Sequence, residues 1–300
     1  LISYGNPTYG ESSGFVRVDQ PFTRDLDAVN KTLFDYTTNG GDEYVARAVN
    51  TSIEQLAWSQ QSDALRMLFV AGNESADQDP QIAIRDAITT ALEKDIVVNT
   101  IYCGSQEDGD ASGWRRVASL SEGIYASIDQ EAGAIAEVVT PVDDELAALN
   151  EALNDTYVAF GKKAKEYSQN QVAQDANAEA MSPSAAVSRV ITKAGKLYSA
   201  AHWDLVDAVE SGTELDRLAE EELPSEMREM TLGEQQAYIE QKQIKRQQLK
   251  AQIEALADQR QDFIDAERAK QSTAEPKGLD TVVKEGLKTL AEERGFSFDG

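Results

Sequence analysis

The chain has one cysteine, Cys103, and one histidine, His202, among 300 residues. A single cysteine rules out an intrachain disulfide and leaves no thiolate cluster for zinc. Cys103 lies in an apolar, strand-like stretch and reads as a small buried hydrophobe, compatible with a cytoplasmic or an exported compartment. His202 falls in Ala200-Ala-His-Trp-Asp-Leu-Val206 on an apparent helix. No serine or cysteine nucleophile motif accompanies it, so it reads as a packed or surface helical residue. Neither Gly-x-x-x-x-Gly-Lys-Ser/Thr nor Gly-x-Gly-x-x-Gly occurs, which leaves nucleotide binding without an anchor. No apolar run approaches the roughly 18 residues that a membrane span needs.

Positive charge is also scarce. Lys+Arg number 28 against 53 Asp+Glu, a formal net charge of −25. Residues 1–141 hold 9 basic and 22 acidic side chains, and residues 142–300 hold 19 and 31, so the acidity is spread over both halves. Such a field repels nucleic acid and anionic lipid, and no basic stripe offsets it. Carboxylates are so frequent that acid pairs alone carry no information about glycosidase-type chemistry. The chain starts at Leu1, and Leu-Ile-Ser-Tyr reads as a strand already under way. It is expected to be a fragment or a processed product, with any signal peptide out of sight.

What is present is hydrophobic content of 41%, enough for a real core, in a pattern that changes near Thr140-Pro141. Before that point strand and helix signals alternate. Leu1–Tyr4 and Phe15–Val18 flank a turn-rich stretch and predict an antiparallel hairpin at one side of a sheet. Leu26, Val29 and Leu33 recur at helical spacing within 23–36, and Val45, Val49, Ile53 and Leu56 predict a second helix from Asp42 to about Trp58. The runs Leu65–Ala71 and Ile96–Tyr102 read as buried strands. Pro80 suits the first turn of the helix between them, to about Lys94. A short helix over Trp114–Leu120 and a strand over Gly123–Ile128 complete crossover units that imply a mostly parallel sheet. Trp58, Trp114 and Trp203 read as core or interface packing.

After Pro141 the texture is helical. Helices are expected over Glu145–Phe160, Ala185–Val209 and Met227–Lys270, with a further short one between Glu275-Pro276 and Gly300. Leu249, Ile253, Leu256 and Phe263 have coiled-coil-like spacing, but Arg246, Arg260 and Glu267 fall in the same seam. The heptads are not sustained, which favours a long helix or helical hairpin around 227–270 packed on its neighbours.

The alternating half, roughly residues 1–135, resembles a von Willebrand factor A (vWA) domain. Thr37-Thr-Asn-Gly-Gly-Asp-Glu-Tyr-Val-Ala46 is similar to the second metal-site loop of that family, and Leu68-Phe-Val-Ala-Gly-Asn-Glu74 to the strand that leads to its third loop. Val97 to Gly104 and Gly123 to Gln130 are similar to the strands that finish the fold. With residues 142–300 the combination resembles a bacterial subgroup that carries a helical C-terminal extension. The resemblance implies an α/β fold with a doubly wound, mostly parallel sheet whose first strand is missing, followed by an all-α region. It further implies a protein partner bound at the loop edge, a divalent cation such as Mg²⁺ held by oxygens from three loops, and an exported or periplasmic setting. The sequence departs from the family in three places. The Asp-x-Ser-x-Ser loop is absent, Asp42 stands where a metal-binding Thr is usual, and Gly72 stands where an Asp is usual. Asp42, Asn73 and Glu74 are the residues left to supply oxygens, so the cation site reads as incomplete. Asp42 also reads as a helix N-cap and Asn73 as a turn residue.

Three functions follow as expectations. The leading one is a non-catalytic protein-binding module with a helical docking or spacer region. The second is a hydrolase-type enzyme on an α/β fold with a helical lid. The third is an assembly role, with oligomerisation through Met227–Lys270.

Overall fold

The computed structural model describes residues 1–38, 40–129, 138–270 and 278–297. Asn39 of the Gly-Gly loop, Gln130 at the end of the last strand motif, Glu275-Pro276 and the final residues of the tail lie outside the described residues. The protein is mixed α/β, with a small parallel three-stranded sheet and many helices. In chain order its strands are β1 (Ile2–Tyr4), β2 (Val16–Val18), β3 (Arg66–Gly72), β4 (Ile96–Tyr102) and β5 (Tyr125–Ser127). Its helices are α1 (Leu26–Phe34), α2 (Val45–Gln55), α3 (Ile84–Glu93), α4 (Ala111–Leu120), α5 (Asp143–Asn154), α6 (Ala164–Met181), α7 (Pro183–Ala194), α8 (Leu205–Glu210), α9 (Leu232–Lys270) and α10 (Leu279–Glu293).

Two compact units divide the chain. One comprises Leu1–Phe22, Tyr36–Ala136 and Thr273–Gly300, the other Thr23–Asp35 and Glu137–Ser272. The units interleave in sequence, because α1 belongs to the helical unit and α10 to the sheet unit. A division into 1–135 and 142–300 anticipates neither exchange.

In the sheet unit, β3, β4 and β5 pair in parallel in that order, with Arg66 opposite Ile96, Gly72 opposite Tyr102 and Thr100 opposite Tyr125. Strand β4 is central and carries Ile, Val and Val on successive positions, because both of its faces are covered. On one face Val70, Ile96 and Val98 pack with Val45, Val49 and Ile53 of α2, Ile88 of α3 and Trp114 of α4. On the other, Val97 and Ile124 pack with Leu290 of α10, and Met67, Val282 and Leu287 close around them. Full burial of each such side chain contributes about 1.5–3 kcal/mol. Trp114 and Trp203 are buried and Trp58 is partly buried against the core.

Asn99 is the polar exception within β4. Its side chain accepts the Ile124 N–H at 2.9 Å and donates to the Leu68 carbonyl at 3.3 Å, tying three strands together. Gly123 permits the approach: a Cβ there would lie 2.3 Å from the Val98 carbonyl oxygen.

The hairpin forms as expected, with Ile2 opposite Val18, but as a separate two-stranded sheet. Helix α3 begins at Ile84, four residues beyond Pro80. Asp79 is the cause: its Oδ1 accepts the N–H groups of Gln81 and Ile82 at 2.9 and 3.2 Å, holding a turn where the helix would otherwise start.

In the helical unit the stretch 185–209 is two helices rather than one. After α7 the chain buries Tyr198, Ala200 and Trp203, and Asp204 then caps α8 by accepting the Asp207 N–H at 2.9 Å. His202 therefore lies in a turn, not on a helix, with Nε2 3.4 Å from Asp25 and its ring edge-on to Tyr167. Helix α9 is one continuous 39-residue helix, not a hairpin. Thr231 and Glu234 exchange hydrogen bonds at its start, a capping box. At 1.5 Å per residue it runs for about 58 Å.

The seam charges anchor α9 to its neighbours. Arg246 is 3% exposed and donates to Asp204 Oδ2 at 2.5 Å, Asp207 Oδ1 at 2.6 Å, Thr156 Oγ1 at 2.9 Å and the Thr156 carbonyl at 2.7 Å. Its guanidinium also lies over the Tyr157 ring at 4.2 Å. Arg260 donates to Asp143 and Ser184 at 2.9 and 3.2 Å.

Helix α6 has no apolar stripe, so periodicity does not reveal it. It packs through Gln171, Gln174 and Ala178, and beside them Asp175 accepts from Arg189 and Lys193 at 2.8 and 2.7 Å. Arg189 also reaches Asp27 of α1 at 2.5 Å.

Candidate functional site

Three loops follow the strands and helices at the C-terminal ends of β3 and β4, where an open parallel sheet builds its ligand sites. They are fixed from several directions. The Tyr4 hydroxyl of β1 donates to the Ala71 carbonyl at 2.6 Å. The Trp114 indole N–H of α4 donates to the Glu74 carbonyl at 2.7 Å. At Gly72 a Cβ would meet the Tyr4 oxygen at 2.5 Å and the Trp114 ring at 2.8 Å, so glycine is required by the packing of those two rings. On the β4 side, Asp108 accepts the Ser105 N–H at 3.0 Å and the Tyr102 hydroxyl at 3.2 Å.

The three residues singled out from sequence have different fates. Asp42 is exposed, and its Oδ2 accepts the Tyr44 hydroxyl at 3.2 Å. It does not cap α2, whose first flanking residue is Tyr44 with no side-chain cap. Asn73 is exposed in the bend after β3. Glu74 is exposed and its Oε2 accepts from Gln78 Nε2 at 2.5 Å.

The residue that joins these loops is Glu43, one position beyond Asp42. The backbone N–H groups of Asn73 and Glu74 lie close enough to its carboxyl to favour the charged form. Its own N–H donates to Gln78 Oε1 at 3.0 Å, so Gln78 bridges Glu43 and Glu74. Gly5, at φ +77°, lies beneath the side chain, and a Cβ there would sit 2.9 Å from Glu43 Cγ. Burial pushes the Glu43 carboxyl above its ordinary value, the Glu74 carboxylate adds to the rise, and the two backbone N–H groups oppose it. Glu43 Oε2 is buried and, among the described residues, has no hydrogen-bond partner. Burial likewise raises the neighbouring Tyr4 hydroxyl and Cys103 thiol, with Glu43 contributing to both. In sequence Glu43 carries no distinguishing signal, because the family resemblance falls on its neighbour Asp42.

The aspartates near this edge are engaged with other side chains. Asp77 is paired with Arg116, and Asp79 with Arg47 at 3.0 Å. Asp42 is turned to Tyr44. Among the described residues no group of three His, Cys, Asp or Glu could hold a metal ion. What the edge offers is a fixed, partly desolvated acceptor among carboxylates, suited to a donor of positive charge.

Among the described residues no helix is long and apolar enough to cross a membrane. Comparison of the chain with family models, with curated proteins and with solved structures finds no match.

Proposed function

We propose that the sheet unit is a vWA-like, non-catalytic binding module that receives a protein partner at the loop edge of β3 and β4, with the helical unit as its docking or spacing body. The observation that carries this reading is the buried Glu43 Oε2, unpartnered among the described residues. A buried acceptor without a donor costs about 1–3 kcal/mol, and a donor brought by a partner removes that cost. The acidic surroundings select a lysine or arginine of the partner surface over a neutral donor, and the net charge of −25 steers it there. The order of elements, a hairpin followed by β-α-β-α-β, is compatible with a doubly wound sheet of this family.

The hydrolase alternative finds little support at the edge. The Cys103 thiol is held protonated by its burial, and His202, the only histidine, is engaged with Asp25 and Tyr167.

Affinity capture on the immobilised full chain tests the proposal. The partner retained by the wild type from a native extract is measured again on Glu43→Gln and on Glu166→Gln, a surface change in α6. Retention at least ten-fold weaker on Glu43→Gln, with Glu166→Gln unaltered, is expected. Equal affinity for all three chains removes the edge from the account.

A further inference from the structure

Lys193, next to last in α7, has a side chain shut off from solvent, and it is surrounded by one carboxylate and two carboxamides. Its Nζ donates to Asp175 Oδ2 at 2.7 Å, to Asn150 Oδ1 at 2.9 Å and to Asn154 Oδ1. Both carboxamides turn their other end to the same carboxylate oxygen. Asn150 Nδ2 and Asn154 Nδ2 donate to Asp175 Oδ2 at 3.1 and 2.8 Å. An ammonium only donates and a carboxylate only accepts, so neither carboxamide can be turned round without losing both bonds. Arg189 Nε holds the far oxygen of Asp175 at 2.8 Å, and the Tyr157 ring lies 5.9 Å from the Lys193 nitrogen.

A structural ion pair needs one ammonium and one carboxylate. Here an amine, two amide carbonyls and a proton acceptor converge within hydrogen-bonding reach. Burial lowers the Lys193 pKa from 10.5 to about 8, against the pull of Asp175, so mildly alkaline solution supplies the neutral amine. A desolvated neutral lysine is a nucleophile, and reactants already in contact avoid most of the entropic cost of meeting. Asn150, Asn154 and Asp175 also line a cavity of about 440 Å³ among α5, α6 and α7, which gives a small leaving group a way out.

We propose that Lys193 and Asn154 join in an intramolecular amide cross-link between α7 and the last residue of α5, with Asp175 carrying the proton. Rotation of the Asn154 carboxamide turns its Cγ to the amine. The lone pair of neutral Nζ attacks Cγ, and the carbonyl π pair moves to Oδ1. Asp175 takes a proton from the attacking nitrogen and delivers it to Nδ2. The pair on Oδ1 then restores the carbonyl, the Cγ–Nδ2 bond breaks and ammonia leaves. Amine and carboxamide thus become amide and ammonia, with no oxidant or further reactant. Asn154 is preferred to Asn150 because its leaving nitrogen lies nearer to Asp175. The bond closes a loop that contains α6, constraining a chain with a single cysteine as a disulfide would. Until it forms, Lys193 titrates as a free amine. The inference lies within the helical unit and is independent of the role given to Glu43.

Mass spectrometry of the full chain tests it, on freshly prepared protein kept at about pH 9 and at about pH 6. Expected is a chain lighter by one ammonia, accumulating at least ten-fold faster at the higher pH. Proteolysis should then yield a branched peptide that joins Asn154 to Lys193. Asn154→Ala should abolish the product, and Glu166→Gln, on the surface of α6, should not. The branched peptide of the wild type decides the matter even where Asn154→Ala fails to fold. Ammonia loss confined to an unbranched peptide would mark a succinimide at some asparagine and would overturn the cross-link. A branch at Asn150 would overturn the choice of Asn154. An unchanged mass after prolonged incubation at the higher pH would leave the cluster a structural ion pair.

Discussion

Arg246 sits in a seam of α9 where apolar side chains would continue a coiled coil, and its guanidinium instead meets two buried carboxylates and Thr156. From sequence it reads as an interruption, because spacing alone cannot tell a charge that faces water from one that meets partners at distant positions. Removing it strands Asp204 and Asp207, whose other bonds go to backbone N–H groups of Val158, Asp207 and Ala200. Arg246→Met is expected to cost about 3–5 kcal/mol in urea unfolding followed by circular dichroism. A loss under about 1 kcal/mol would contradict a structural role for the cluster. Lys193 gives a second test, through pH. Burial lowers its pKa from 10.5 to about 8, although Asp175 opposes the shift. The unfolded chain therefore binds more protons between these values, so stability rises with pH from about 8. The rise should be read below pH 10, where unfolded tyrosines begin to ionise. Lys193→Met should flatten it; an unchanged slope would contradict the assignment. Asp175 acts at the other end. Its pKa is lowered chiefly by Lys193 against the effect of burial, so its contribution is present above 3.8 and is lost on further acidification.

Among the elements, legibility followed periodicity. Strand β4 spans Ile96–Tyr102 as its apolar run predicts, because a central strand shows its burial directly in composition. Helix α6 is illegible in the sequence because the side chains it buries include glutamines, and their partners, such as Tyr198 for Gln171, are remote in sequence. The break between α7 and α8 and the delayed start of α3 were hidden for a related reason: Asp204 and Asp79 reorganise the backbone through side-chain hydrogen bonds. The continuity of α9 makes Ile253 a shared contact of α5, α7 and α9. Ile253→Ala should cost about 2–5 kcal/mol in the same unfolding assay, and near-neutrality would show that α9 is not held there. In the sheet unit, Gly123→Ala places a methyl 2.3 Å from the Val98 carbonyl oxygen, a backbone atom that cannot rotate away. A loss of about 1–3 kcal/mol in thermal unfolding is expected, and wild-type stability would contradict the close approach.

For the molecule as a whole, the α/β-then-helical arrangement was visible from the change in texture after Pro141, but the interleaving of the units was not. That α1 packs with α6 and α10 with β5 depends on contacts across more than a hundred residues. The candidate edge was legible only as a place. Glycine runs and strand ends marked the loops, while the residue joining them, Glu43, is one among 53 acidic side chains until its neighbours are known. The proposed partner binds at that edge. Carbodiimide coupling of carboxylates to partner amines in a native extract, followed by peptide mapping, tests it most directly. Cross-links at Glu43 and Glu74 that disappear in Glu43→Gln are the expected result. Cross-links confined to the helical unit, unchanged by that substitution, would contradict it.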